Sequence, residues 1–134
     1  MDKAYIDKLA YILIKDRKVL TTLSKGKDTW YIPGGKREGS ETDHEALIRE
    51  IKEELTVRLT PHTIRHYGTF EAQAHGKPEG TVVRMTCYEA DYQGELTPSS
   101  EIEEFAFVSY EWKEKSSPVD GLIFDDLKAR GLIG

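Results

Sequence analysis

Residues 9–14 are apolar without a break, as in a strand covered on both faces. Asp16 and Arg17 read as a turn, and residues 19–23 as the partner strand. Trp30, Tyr31 and Ile32 form a short apolar segment that Pro33, Gly34 and Gly35 stop sharply. The period then changes. Leu47, Ile48, Ile51 and Leu55 recur with helical spacing and predict a helix over 42–55. Thr42, with Glu45 three residues later, has the form of a capping box at its start. Beyond Pro61, residues 64–74 and 81–91 read as two strands of a hairpin joined through Lys77, Pro78, Glu79 and Gly80. Residues 105–108 predict a further strand. Ser117 and Pro118 open a last helix over 119–130, with Ser at the cap and Pro at the first helical position. The pattern predicts a mixed α/β domain whose helices pack against a largely buried sheet.

The 134 residues show no repeat, low-complexity tract or linker, so they are read as a single domain, 1–134. A hydrophobic fraction of 38% and a charged fraction of 32% suit a soluble globular chain. The net charge of −5 disfavours nucleic acid as a partner, because non-specific binding draws on excess Lys and Arg. It does not disfavour a small anionic substrate where a bound metal reverses the local field. No apolar run has transmembrane length, and residues 1–8 lack a signal-peptide core, so the expectation is a cytoplasmic protein without a membrane partner. Cys87 is the sole cysteine, which excludes an intramolecular disulfide, and its strand-like surroundings mark it as a core residue.

The chemistry is concentrated in residues 35–57. On a wheel at about 100° per residue, Glu50, Glu53 and Glu54 share an arc roughly 100° wide beside the apolar stripe. Carboxylates three and four residues apart are neighbours and repel by a few tenths of a kcal/mol per pair. Arg49, four residues before Glu53, offsets one charge and leaves two on the same edge. A divalent cation such as Mg²⁺ or Mn²⁺, which takes hard oxygen ligands, would make that edge favourable. The triplet alone reads better as a solvated acidic helix face, which acidic proteins commonly carry; the flanking residues change that. Gly34 and Gly35, leading into the helix, allow backbone to approach a ligand closely, and Lys36 is placed to meet a phosphate.

Together these residues resemble the Nudix box: a Gly, five residues, a Glu, seven residues, then Arg-Glu-apolar-any-Glu-Glu-any-Gly-apolar. Here Gly35 is followed by Glu41, and then by Arg49, Glu50, Ile51, Lys52, Glu53, Glu54, Leu55, Thr56 and Val57. Every specified position matches except Thr56, which stands where the family has Gly. Trp30 to Lys36 also looks like the usual approach to this box. The resemblance implies an α/β/α sandwich with a mixed central sheet. It implies hydrolysis of a phosphoric anhydride in a nucleoside diphosphate linked to another moiety, dependent on Mg²⁺ or Mn²⁺. Glu50 and Glu54 would be the principal metal ligands, with Glu53 a further ligand and the carbonyl near Gly35 joining them. Arg49 would orient a catalytic glutamate, and Glu41 would be its structural partner. Because a β-branched residue enters the left-handed region at a steric cost, the helix is expected to end by another route at Thr56.

Water attack also needs a proton acceptor. Glu50 is one candidate. Glu101, Glu103 and Glu104 form a second acidic cluster, from which Glu101 is preferred; a solvated acidic loop is the competing reading. Arg84, in mid-strand, either lines the substrate cleft and pairs with phosphate or faces solvent. Trp30, Tyr31, Phe70 and Tyr88 are candidates for stacking on a base, though small domains keep most aromatics in the core. His44, His62, His66 and His75 show no metal-ligand spacing and read as surface or packing residues. A catalytically silent Nudix-fold sensor is the main rival, and the intact Glu50, Glu53 and Glu54 argue against it. A prenyl-diphosphate isomerase would need an added acid or cysteine pair that Cys87 alone does not supply. An oxidised nucleoside triphosphate, a dinucleoside polyphosphate, ADP-ribose and a nucleotide sugar all fit the box as small-molecule partners. Oligomeric state leaves no mark on the sequence.

Overall fold

The computed structural model describes residues 4–74 and 76–134. Its strands are β1 (Ala4–Tyr11), β2 (Ile14–Lys15), β3 (Lys18–Ser24), β4 (Trp30–Tyr31), β5 (Gly34–Gly35), β6 (Arg58–Leu59), β7 (Arg65–Gln73), β8 (Thr81–Glu89), β9 (Tyr92–Gln93) and β10 (Ile102–Val108). Helix α1 (Asp43–Leu55) lies between β5 and β6, and α2 (Pro118–Ala129) follows β10. The central sheet has the order β5-β1-β8-β7. It is mixed: β1 and β8 run parallel, while β5 and β7 join antiparallel. A second sheet, β10-β3-β2 with β4 on β3, lies beside it, and β6 pairs with β9.

The two faces of β1 explain the unbroken apolar run. Leu9 and Tyr11 point into a core shared with Leu47, Ile51 and Leu55 of α1. Ala10 and Ile12 point into the opposite core, shared with Ile123, Phe124 and Leu127 of α2. Helices therefore cover both faces of the central sheet, giving the α/β/α sandwich. The strand differs from the expected 9–14 at both ends. It starts at Ala4, through alternating partly exposed residues, and it leaves the ladder after Tyr11, where Tyr11 N–H bonds the Pro33 carbonyl at 2.9 Å and Ile12 N–H bonds that of Tyr88 at 2.8 Å.

Both helix starts follow their local signals. Thr42 Oγ1 accepts from Glu45 N–H, and Glu45 Oε1 accepts from Thr42 N–H, completing the capping box. Ser117 caps α2 with Pro118 in the first turn. Asp16 and Arg17 form the β2–β3 turn, both with positive φ, at 51° and 61°. No helix among the described residues is long and apolar enough to cross a membrane.

The helix end at Thr56 corrects the expectation of a different exit. Thr56 takes the left-handed conformation that glycine would, with φ 69° and ψ 4°, and its N–H bonds the Lys52 carbonyl. That conformation costs a β-branched residue about 1–2 kcal/mol. An added bond offsets part of this: Thr56 Oγ1 donates to the Thr97 carbonyl at 2.9 Å.

β5 is defined by close approach. At Gly34, with φ 152°, a Cβ would lie 1.9 Å from the Leu9 carbonyl oxygen. Gly34→Ala is expected to destabilise the fold on the order of 3 kcal/mol. Gly39→Ala, at φ 54° in open space, should cost only about 1 kcal/mol. Urea unfolding of the two variants measures the difference; equal losses would show that β5 moves aside freely.

Candidate active site

Helix α1 buries Leu47, Ile51 and Leu55 completely, and this sets the rotation of the acidic arc. Glu54 lies next to that stripe and is drawn inward, to 8% exposure. Glu50 also turns inward, whereas the Glu53 side chain stays 53% exposed. The three acids that share one arc are thus divided by burial.

The inward pair faces β5. The Gly34 backbone has a lowering effect on the Glu54 carboxyl. A Cβ on Gly35 would lie 2.4 Å from the Glu50 carboxyl carbon. Burial first, and then the Glu50 charge, push the Glu54 carboxyl up to about 8. Burial raises Glu50 as well, against the lowering effect of Arg49. Burial thus disfavours charge on both carboxyls, which form a coupled acid pair.

Arg49 organises the outer side. Its Nε and Nη2 donate to Glu41 at 2.8 and 2.9 Å, a bidentate pair. Nη1 reaches Glu50 at 2.8 Å and Glu53 at 3.4 Å, and Nη2 bonds the Lys36 carbonyl at 3.0 Å. The Arg49 hydrogen bond holds the Glu41 carboxyl below its usual range. Glu41 also accepts from Glu38 N–H at 2.8 Å, so the guanidinium ties the loop after β5 to the helix.

A cavity of about 170 Å³ opens between the sheets, lined by Gly34, Gly35, Glu54 and Glu101 at one end and by Lys8 and Tyr31 at the other. A second hollow of about 80 Å³ shares Lys8, Tyr31 and Met85 with it and extends toward Ser117. Glu101 is carried there by a segment docked on the end of α1: Thr97 N–H bonds the Leu55 carbonyl and Ser99 N–H that of Glu54, both at 2.9 Å. Lys25 N–H bonds the Glu101 carbonyl at 2.8 Å.

The donor set suits a hard divalent cation. Two carboxyls and a backbone turn that only glycine permits converge at one end of a cleft, and Mg²⁺ commonly takes one or two protein carboxylates and keeps several waters. Among the described residues no three acidic, His or Cys side chains converge as a ready cage, because Arg49 stands between Glu50 and Glu53. The protein residues that would hold the ion are therefore Glu50 and Glu54, with Gly35 adjoining.

A model of the NUDIX domain family matches residues 7–126. The chain belongs to the Nudix family. Residues covering 51% of it are 32% identical, over 68 positions, to an 8-oxo-dGTP diphosphatase of Proteus vulgaris, and they span 56% of that relative's length. The MutT protein of Methanosarcina mazei Go1 superposes with a TM-score of 0.74, at 20% identity and with 98% of both chains covered. The E. coli ORF135 protein does so with a TM-score of 0.73, at 23% identity, covering 95% of this chain and 91% of its own. At these identities the two structures speak to the fold, and they share the Nudix arrangement described above.

Several residues sit elsewhere than the sequence suggested. Arg84 does not face the cleft. The register pairs it with Asp7, whereas the neighbouring pair Lys8–Met85 points to the cavity side. Arg84 instead pairs with Glu71 at 2.9 Å and Asp7 at 3.7 Å and lies 4.2 Å from the Tyr5 ring centre, on the face opposite Lys8 and Met85. Lys36 is exposed beside the box. Of the aromatics only Tyr31 lines the cleft; Trp30 packs edge-on against Trp112, Phe70 lies against the α2-side core, and Tyr88 donates to Asp43 at 2.8 Å. His44 and His66 both pack edge-on against Tyr88, and His75 lies outside the described residues.

Two residues escaped the sequence reading: Lys8, which lines the cleft, and Asp120, which is buried and bonded to Ile32. Lys8 sits in a polar N-terminal stretch that gives no signal. Asp120 reads as an ordinary acid in the first turn of a helix. It is fully buried: Oδ2 accepts from Ile32 N–H at 3.0 Å, and Oδ1 has no hydrogen-bond partner among the described residues. Burial pushes its carboxyl up to about 7, against the lowering effect of Ile32 N–H. An unfolded Asp titrates near ~3.9. Between those values the native state holds a proton that the unfolded chain has lost, so stability falls as pH rises through this window and levels off above it. Asp120→Asn keeps an acceptor for Ile32 and does not titrate. Its stability relative to the parent should rise between about pH 5 and about pH 8, as urea unfolding in EDTA would measure. A constant difference would mean that Asp120 is ionised in the fold throughout.

Proposed function

We propose that this chain hydrolyses a phosphoric anhydride of a nucleoside triphosphate, with Mg²⁺ or Mn²⁺ bound by Glu50 and Glu54 beside Gly35. The observation that carries the reading is the inward Glu50–Glu54 pair packed against β5 at the end of a cleft that also holds Glu101. When bound, the cation would neutralise phosphate oxygens and stabilise the charge that spreads over them in the transition state. Glu53 joins through water, and Arg49 fixes the orientation of Glu50. Water forms a new P–O bond, the bridging P–O bond breaks, and its electron pair leaves with the departing phosphate. The water's proton passes to Glu101.

Tyr31 and Lys8, which line the same cleft, are the side chains available there to a heterocycle. The name of the Proteus vulgaris relative, an 8-oxo-dGTP diphosphatase, favours an oxidised purine nucleotide. Lys36, exposed at the box, is available to a phosphate. A cytoplasmic setting and a small-molecule partner, rather than nucleic acid or membrane, accompany this reading.

The test is product release from a panel of 8-oxo-dGTP, dGTP, a dinucleoside tetraphosphate, ADP-ribose and a nucleotide sugar, with Mg²⁺ and with excess EDTA. Turnover of 8-oxo-dGTP should exceed the rest and vanish in EDTA. Nucleotide binding without turnover would identify a sensor instead. Glu54→Gln should lower kcat on the order of 10²-fold or more and weaken Mg²⁺ binding, as loss of charge stabilisation does. Glu45→Gln should leave turnover within about twofold, since Gln also completes a capping box. Equal small effects of the two substitutions would withdraw the metal reading of the arc.

A further inference from the structure

Thr56 keeps a strained left-handed backbone that glycine would adopt freely, and the side chain that causes the strain makes one bond, to the Thr97 carbonyl at 2.9 Å. That carbonyl belongs to the segment that brings Glu101 to the cleft. Two further bonds lash the segment to the helix end, from Thr97 N–H to Leu55 and from Ser99 N–H to Glu54. Both are backbone bonds that any residue at 56 leaves in place. Beyond them the chain turns sharply: Ile102 N–H bonds the Ser99 carbonyl at 3.0 Å, and Ser100 has φ 58°. Glu101 is thus held between the end of α1 on one side and Lys25 N–H on the other. Of the three bonds from the helix end, only the hydroxyl's depends on a side chain.

We propose that Thr56 is a positioning residue, whose hydroxyl fixes the 97–101 segment so that the Glu101 carboxylate meets the attacking water. The proposal rests on the reading of Glu101 as proton acceptor. It assigns a use to the strain: the glycine of the family's box is replaced by a residue that trades backbone comfort for a tether. Thr56 is exposed and away from the cavity lining, so it acts through Glu101 and touches no substrate.

Four variants separate this from a structural role: Thr56→Gly, Thr56→Val, Thr56→Ser and Glu101→Gln. Kinetics are measured on 8-oxo-dGTP with Mg²⁺, or on the nucleotide of the panel turned over fastest, together with thermal melts. Thr56→Val keeps the strain and loses the tether; Thr56→Gly loses both. Both should lower kcat about 3- to 10-fold, the range of one net hydrogen bond, with KM unchanged. Thr56→Gly should melt no lower than the parent, so activity and stability part company. Thr56→Ser should restore kcat. In the Glu101→Gln background, Thr56→Val should have no further effect on kcat. Parental kcat in Thr56→Gly and Thr56→Val, with Glu101→Gln slow, would overturn the role of Thr56 alone. Parental kcat in Glu101→Gln would overturn the reading of Glu101 and this proposal with it.

Discussion

β5 runs through a gap between β1 and α1 so narrow that a methyl group at Gly34 would overlap the Leu9 carbonyl, and one at Gly35 the Glu50 carboxyl. The acid pair depends on that closeness. The apolar stripe of α1 holds the helix against the sheet, and Glu54, one residue before Leu55, is carried inward with it. A carboxyl taken out of water needs a partner or a proton. Backbone brought within reach by the missing side chains lowers the Glu54 carboxyl, against the larger raising effect of burial.

The same helix manages its charge in two ways. Outside, Arg49 collects Glu41, Glu50 and Glu53 and the Lys36 carbonyl, so the loop from β5 to α1 is ordered by one guanidinium. Inside, burial pushes the Glu54 carboxyl up to about 8. Glu50 is shared between the two systems. A cation entering from the cleft would displace a proton on one side and compete with Arg49 on the other, so metal affinity should report on both at once.

How far the sequence could be read follows from which interactions decide each feature. Helices α1 and α2 and the β7–β8 hairpin were legible because period, caps and turn residues agree within each segment. The two-residue strands β2, β4, β5, β6 and β9 are too short to carry a period and exist only through their pairings. Lys8 rather than Arg84 lines the cleft because the register of β1 on β8 decides which of two neighbouring positions faces it. The wheel placed Glu50, Glu53 and Glu54 together correctly, but only packing shows which of them loses contact with water. At Thr56 the steric cost is real, and a distant carbonyl that the sequence does not reveal offsets part of it. Asp120 was hidden by its company, since an acid beside a helix start ordinarily faces solvent.

Cys87 sits wholly buried on the α2 face of β8, and burial pushes its thiol well above the ordinary range. Because the thiolate is the reactive form, alkylating reagents and mild oxidants have nothing to meet while the sheet is closed. The chain therefore carries a built-in clock: the rate at which a thiol reagent labels it counts the openings of its central strands, without a tag and without disturbing the cleft.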